Sequence, residues 1–262
     1  MITTWVIRLF AWLVLAYLVF PLVVIVGSSL TTTAFLDFPP KGVTLAWYSQ
    51  ILRDPGYVES YVTSTVLAAA STAVALVLTV PACIALARHE FPGKRMLHSL
   101  LTAPLVLPHI VLGAALLQFG GGFGLSRNFA ALLIGHTIII APFVLQSVLP
   151  MFSSEQRSLE EASQDLGATP WQTFRFVVFP QIRPGIVTGS VFAFISSWIN
   201  VEMSIFNTTA HLSTLPVKLF NYVQYTIDPT IAAVSGATIL IAAIAIVLLE
   251  LTVGLDILAE SN

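Results

Sequence analysis

The sequence predicts an all-α integral membrane protein with six transmembrane helices and a cytoplasmic helix–Gly–helix loop. Of its 262 residues, 56% are hydrophobic and 9% are charged, whereas an average soluble domain carries about 25% charged residues. The 11 basic and 13 acidic residues are too few to cover a water-soluble globule of this size. A net charge of −2 gives no basic surface for nucleic acid, and a single cysteine, Cys83, excludes an internal disulfide.

Six stretches without Asp, Glu, Lys or Arg locate the spans. A bilayer core needs roughly 20 apolar residues of helix, because a helix satisfies its own backbone hydrogen bonds in lipid. The uncharged stretches are 18 to 31 residues long and continuously apolar rather than alternating. They predict one transmembrane domain over residues 1–262, with spans at 9–28, 63–86, 99–119, 129–149, 184–206 and 230–251.

The first and fifth spans depend on further detail. The first apolar run is longer than that of a signal peptide and lacks an A-x-A cleavage site, so we expect a retained helix. The fifth uncharged stretch is the shortest, and we expect its helix to continue past Glu202 to Phe206. Gly185 and Gly189 form a G-x-x-x-G pattern near its start, which predicts close helix packing, with a paired subunit as one candidate neighbour.

Basic residues in the short loops predict the orientation. With the N-terminus inside, seven Lys and Arg residues lie on the inner side and four on the outer side, and basic residues are in excess on the cytoplasmic side. Arg88, Lys94 and Arg95 carry most of this difference, to which the acidic tail at Asp256 and Glu260 adds nothing. Both termini are therefore expected in the cytoplasm.

Residues 151–183, here called the inner loop, form the longest loop on the cytoplasmic side. The inner loop holds seven charged residues, yet Leu159, Ala162 and Leu166 recur at helical spacing and give one apolar stripe. Gly167 follows as a residue typical of a helix C-terminus. A first short helix ending at Gly167 is therefore predicted.

A second short helix is predicted directly after this glycine. Thr169 can cap its N-terminus, and Pro170 fits its first position. Pro180 and Pro184 are expected to end it, because proline has no N–H for the helix ladder. A helix–Gly–helix element facing the cytoplasm indicates that something docks there.

The inner loop resembles the EAA loop of ABC importer permeases, the inner-membrane subunits of binding-protein-dependent transport systems. The family pattern is Glu-Ala-Ala, three residues, Gly, nine residues, Ile-x-Leu-Pro. This chain keeps the same spacing, and Glu161, Ala162, Gly167 and Pro180 match the pattern. Ser163, Val177 and Phe179 stand in place of its second Ala, its Ile and its Leu, and Val178 occupies the unspecified position.

The likeness extends along nearly the whole chain. Residues 85–94 are similar to the family's A-x-A-L-x-R-x-x-F-x-G pattern, which lies between the second and third helices on the cytoplasmic side. Pro104 and Pro108 are similar to the prolines of its third helix. Residues 214–217 and Asp228-Pro229 are similar to its final outer loop. The Trp47-Tyr48 pair and Asp228-Pro229 resemble, in particular, permeases of the spermidine/putrescine type.

The resemblance implies a transport subunit of the bacterial inner membrane, not an enzyme. The chain has no G-x-x-x-x-G-K-[ST] and cannot hold ATP in a P-loop. No cofactor is expected on this chain, and the resemblance places ATP and Mg²⁺ on separate ATP-binding-cassette ATPase subunits. Other implied partners are membrane lipids, a second permease subunit (a homologous chain favoured over a second copy) and a periplasmic or lipid-anchored substrate-binding protein.

The resemblance also assigns ATPase coupling to residues of the inner loop. In the family this loop fits a groove on the ATPase and moves with it. Glu161 is expected to face a basic partner residue, and Gly167 to let the two short helices approach closely. The coupling residues implied are Glu161, Ala162, Ser163, Asp165, Gly167 and Pro180.

Polar and aromatic residues near the end of the fifth span are candidates for the substrate path. An ionisable group within a span costs roughly 2.5–3.5 kcal/mol and is a functional candidate by default. A carboxylate beside an aromatic ring suits an amine. The candidates are Ser197, Trp198, Asn200 and Glu202. The alternative is that Glu202 lies at the outer helix end and faces water.

The cargo stays open at this stage. The polyamine-type relatives often carry paired acids in this helix, where this chain has Ile199 and Asn200. Polyamine-type, amino-acid-like and phosphonate solutes all remain candidates.

The alternative function is a self-sufficient, proton-coupled secondary transporter. His109 and His136, in the third and fourth spans, would then relay protons with Glu202. No H-E-x-x-H or G-x-S-x-G motif is present, so neither a metal site nor catalytic residues are predicted. Buried, hydrogen-bonded histidines are favoured over a proton relay. Secondary transporters usually contain internal repeats, which this sequence lacks.

Overall fold

The part of the chain that the structure describes is mainly helical. The computed structural model describes residues 2–253, apart from the side chains of residues 2–4, 154–155 and 245–253. The acidic tail, with the predicted cytoplasmic C-terminus, lies outside the described residues. Within them there is no β-strand, and the helices are α1 (Ile2–Ser29), α2 (Ala46–Arg53), α3 (Pro55–Arg88), α4 (Lys94–Thr102), α5 (His109–Gly121), α6 (Phe129–Val148), α7 (Ser154–Asp165), α8 (Pro170–Thr173), α9 (Phe179–Trp198), α10 (Leu215–Val223) and α11 (Pro229–Val253).

Four helices in the described part of the chain are long and apolar enough to cross a membrane. They are Trp5–Ser29, Pro55–Arg88, Phe129–Met151 and Pro170–Trp198. A fifth span results if Lys94–Leu105 and His109–Gly121 are counted together. Helix α11 adds a shorter apolar stretch, Pro229–Ile244.

The third predicted span is broken, which the sequence analysis did not anticipate. Lys94–Leu105 and His109–Gly121 are bent by 109° at residues 106–108. Pro108 directly precedes α5, and proline disfavours the helical conformation of the residue before it. The expected continuous helix over 99–119 is therefore two helices that meet at a proline break.

The fifth predicted span begins and ends earlier than expected. Helix α8 continues through a π-helical segment, Phe174–Val178, into α9, so the prediction that Pro180 and Pro184 end the second helix is wrong. Pro180 is the second residue of α9, two residues after the end of the π-helical segment. Helix α9 then ends at Trp198 and does not continue to Phe206.

The chain divides into two compact units. Among the described residues, the first comprises residues 2–59 and 218–253, and the second comprises residues 60–217. In the first unit α11 packs against α1 and α2. Two side chains of α2 attach it to the end of α1: Trp47 Nε1 donates to the Thr31 carbonyl at 2.9 Å, and the Tyr48 hydroxyl lies 2.7 Å from Ser29 Oγ.

The second unit has its core where α6 packs along α9. Ile139, Ile140, Val144 and Leu145 of α6 are almost fully buried. The two helix backbones approach closely at Gly185, where a Cβ atom would lie 2.5 Å from the Ser147 carbonyl oxygen. The predicted close packing of the G-x-x-x-G pattern is thus found within this chain.

Candidate functional site

A glycine turn separates the two short helices of the inner loop. Helix α7 ends in a Schellman motif: the Gly167 N–H donates to the Gln164 carbonyl at 2.8 Å, and the Ala168 N–H donates to the Ser163 carbonyl at 3.0 Å. Gly167 has φ +89°, a conformation that costs a residue with a Cβ roughly 1–2 kcal/mol. The helix end therefore depends on glycine at this position.

Capping and one side-chain contact fix the second short helix. The Thr169 hydroxyl accepts from the Gln172 N–H at 3.3 Å, and the Gln172 side chain accepts from the Thr169 N–H at 2.8 Å. This is the predicted cap at Thr169, with Pro170 next in the chain. Across the turn, Ser163 Oγ lies 2.8 Å from Thr173 Oγ1. Ser163 stands where the EAA pattern has its second alanine. Its hydroxyl thus links α7 to α8.

An arginine at the end of α3 holds the inner loop in place. Arg88 pairs with Glu160 of α7, and its guanidinium lies 5.0 Å from the centre of the Phe152 ring. Both charged side chains are largely buried, with 13% and 16% exposure. Sequence reasoning used Arg88 for orientation and resemblance but missed this pair. The opposite charges 72 residues apart give no local signal.

Other side chains of the inner loop are exposed. The Glu161 side chain pairs with Arg157 at 3.1 Å, and both are more than 60% exposed. Four large apolar side chains of the inner loop are also exposed: Leu159 (56%), Leu166 (90%), Trp171 (69%) and Phe176 (72%). Glu161 and Gln164 line a groove of about 450 Å³ together with Arg88 and Glu160. Exposed apolar side chains with adjacent carboxylates form a surface suited to a partner protein.

The structure brings most predicted coupling residues together. Glu161, Ala162 and Asp165 are exposed on α7, Ser163 is half-buried, and Gly167 forms the turn. Pro180 is exposed but lies beyond the π-helical segment, in α9.

The candidate path residues lie where α9 ends. Ser197 is buried, and Trp198, half-buried, donates from Nε1 to Thr65 Oγ1 at 3.2 Å. Asn200 and the exposed Glu202 belong to the segment that follows, residues 199–208, which forms turns instead of helix. An early helix end leaves Glu202 outside the helix in which it was predicted.

His136 connects α9 to this segment. Its Nδ1 lies 2.8 Å from Ser197 Oγ and its Nε2 lies 2.8 Å from Ser204 Oγ. His109, in α5, lies 3.3 Å from Asn200 Nδ2 through its Nδ1. His136 is thus buried and hydrogen-bonded, as favoured from the sequence, whereas its partner Ser204 was not foreseen. Within the described residues no group of three or more His, Cys, Asp or Glu side chains is placed to hold a metal ion.

Comparison with known proteins identifies the family. Residues 79–259 match the family described as the binding-protein-dependent transport system inner membrane component. The chain belongs to this family. The matched region includes the inner loop and the 199–208 segment, so this permease is a transport component of the inner membrane.

Curated relatives of this permease include polyamine transport proteins. It is 30% identical over 213 residues to the putrescine transport system permease protein PotI of Escherichia coli (strain K12), covering 79% of this chain and 75% of that one. It is 26% identical to the spermidine/putrescine transport system permease protein PotC of Haemophilus influenzae, with 92% and 94% covered. The trehalose transport system permease protein SugB of Mycobacterium tuberculosis is 29% identical, with 87% and 85% covered.

Two solved structures share the fold of this permease. One is a bacterial ABC transporter involved in the import of the acidic polysaccharide alginate, with a TM-score of 0.69, 19% identity, and 96% of this chain and 95% of that chain covered. The other is an amino acid ABC transporter with histidines, with a TM-score of 0.57, 18% identity, and 79% and 99% covered. At these identities the likeness concerns the fold alone.

Proposed function

We propose that this permease forms half of the translocation path of an ABC importer and is driven by a separate ATPase through its inner loop. The observation that carries the proposal is the exposed surface of the inner loop, where Leu159, Leu166, Trp171 and Phe176 are exposed, as are Glu161 and Asp165. A membrane protein gains nothing from such a face in water, because exposed apolar area is unfavourable until a partner covers it.

Coupling follows from how the inner loop is built. The ATPase binds ATP and Mg²⁺, and its closure moves the inner loop as a unit, because Ser163–Thr173 and Arg88–Glu160 tie α7 to α8 and to α3. Helix α8 continues into α9, so a displacement of the inner loop reaches a candidate span directly. Such a shift between two packings exposes the path to one side at a time.

The proposed cargo is a small organic solute with an amine group. The relatives named for putrescine and spermidine/putrescine transport support this choice, and an exposed carboxylate at Glu202 with Trp198 nearby in sequence suits a cation. Amino-acid-like and phosphonate solutes are the alternatives to be screened beside it.

The proposed arrangement has six spans, with both termini in the cytoplasm. The sixth span is α11, and the third is the bent pair formed by α4 and α5. A second, homologous permease subunit and a substrate-binding protein outside the membrane complete the importer.

The test is purification of the tagged permease from its host and identification of copurifying chains by mass spectrometry. We expect an ATP-binding-cassette ATPase, a second permease and a binding protein in stoichiometric amounts. Recovery of the chain alone in several detergents and in nanodiscs would contradict the proposal.

A charge reversal locates the docking face. Glu161→Lys is expected to reduce ATPase copurification at least tenfold while membrane insertion is unchanged, because it repels a basic partner residue. The matched control is Glu90→Lys, an exposed glutamate outside the inner loop. Equal ATPase recovery with wild-type and Glu161→Lys would remove the coupling assignment from Glu161.

A further inference from the structure

His136 is hydrogen-bonded through both of its ring nitrogens. Its Nε2 lies 2.8 Å from Ser204 Oγ and its Nδ1 lies 2.8 Å from Ser197 Oγ. Ser204 Oγ in turn donates to the Asn200 carbonyl at 3.1 Å. Both ring nitrogens therefore have a hydroxyl partner, and the contacts continue from Ser204 to the backbone of Asn200.

The bonds of His136 span the end of a helix. Ser197 is in the last turn of α9, and Ser204 lies in the segment beyond it. Both hydroxyls are almost fully buried. The imidazole on α6 therefore ties the end of α9 to the 199–208 segment, whose turns lack the continuous hydrogen-bond ladder of a helix.

The 199–208 segment also packs against α5 at Gly113. A Cβ atom at Gly113 would lie 2.9 Å from the Glu202 carbonyl oxygen, and Asn207 Nδ2 donates to the Gly113 carbonyl at 3.3 Å. Met203, between these contacts, is 1% exposed. Buried anchors thus flank Glu202, the one exposed side chain among residues 200–208 that carries a charge.

We propose that His136 is a positioning residue for cargo recognition: it fixes the 199–208 segment so that Asn200 and Glu202 are held in one geometry. The inference rests on the proposed function, because it assumes that this segment faces the substrate path. His136 itself contacts no cargo and acts through Ser204.

The test uses the purified importer complex in nanodiscs, with putrescine as the probe. In His136→Leu, deuterium uptake by residues 199–208 should rise, and the KM for putrescine should increase about tenfold with kcat nearly unchanged, as expected for the loss of one or two hydrogen bonds. His136→Gln keeps an amide N–H that can reach Ser204 and should restore most of the affinity. Ile140→Val, which trims a fully buried α6 side chain, is the packing control and should leave KM unchanged.

Ser204→Ala provides the second variant if His136→Leu fails to assemble, because it leaves the bond between His136 and Ser197 intact. Ser204→Ala should give the same rise in deuterium uptake by residues 199–208 and in the KM for putrescine. Unchanged deuterium uptake in His136→Leu and Ser204→Ala would overturn the positioning role, as would a KM that responds equally to Ile140→Val. If deuterium uptake rises in His136→Leu but Glu202→Gln does not alter the KM for putrescine, His136 does hold the segment. The assignment of the 199–208 segment to the substrate path is then the part that fails.

Discussion

At the residue scale, two ion pairs that involve α7 differ in how far they are buried. Arg88 and Glu160 are largely withdrawn from water, whereas Arg157 and Glu161 are mostly exposed. A buried charge that loses its partner is destabilising by several kcal/mol, while exposed pairs contribute little. The first pair therefore supports the inner loop, and the second leaves Glu161 available to a partner.

Removing each arginine separates these roles. Arg88→Ala is expected to lower the free energy of unfolding by about 3 kcal/mol, because Glu160 is left partly buried and unpaired. Arg157→Ala should change it by less than about 1 kcal/mol. Denaturant unfolding of the purified permease in micelles measures both values, and similar losses in the two variants would contradict the role of burial.

Gly167 offers a residue-scale test of the turn. Gly167→Val is expected to destabilise by roughly 1–2 kcal/mol, because valine is strained at positive φ, and to lower cargo uptake per ATP hydrolysed. Gly93 has the same φ of +89° and equally open surroundings, so Gly93→Val carries the same strain outside the inner loop. A normal ratio of uptake to hydrolysis in Gly167→Val would mean that the turn does not transmit motion.

At the scale of elements, the second short helix and the fifth span form one continuous helical run. The π-helical segment Phe174–Val178 joins α8 to α9, and Pro180 is the second residue of α9. Prolines in membrane helices are tolerated because neighbouring groups satisfy the freed backbone carbonyls. The second short helix of the inner loop is therefore continuous with a candidate span, as the proposed coupling requires.

Close packing of α6 and α9 gives the element-scale prediction. Gly185→Val is expected to destabilise by about 3 kcal/mol or more, because its Cβ atom would meet the Ser147 carbonyl oxygen at 2.5 Å. Gly121→Val, at a helical glycine with no atom within 4 Å of its Cβ position, is the matched control. Thermal unfolding of the two variants in nanodiscs compares them, and an equal shift would argue against contact at Gly185.

For the whole molecule, orientation is the property to test. In a Cys83→Ala background, Gln172→Cys should react with a membrane-impermeant maleimide only from the cytoplasmic side, and Ala210→Cys only from the outside. Both positions are exposed, so burial does not mask either reaction. Labelling of both cysteines from the same side of spheroplasts and inverted vesicles would contradict the positive-inside assignment.

The sequence by itself determined the class and the family of this protein. Apolar runs of about 20 residues are required by the bilayer, and the EAA pattern with its glycine and caps encodes local structure that neighbouring residues control. The bend before His109, the end of α9 at Trp198 and the continuation through Pro180 were decided by tertiary structure. Proline permits several local outcomes, and distant carbonyls and hydroxyls select among them. Likewise, Arg88–Glu160 and His136–Ser204 join residues far apart in the chain. Only tertiary packing brings α3 to α7, and α6 to the 199–208 segment.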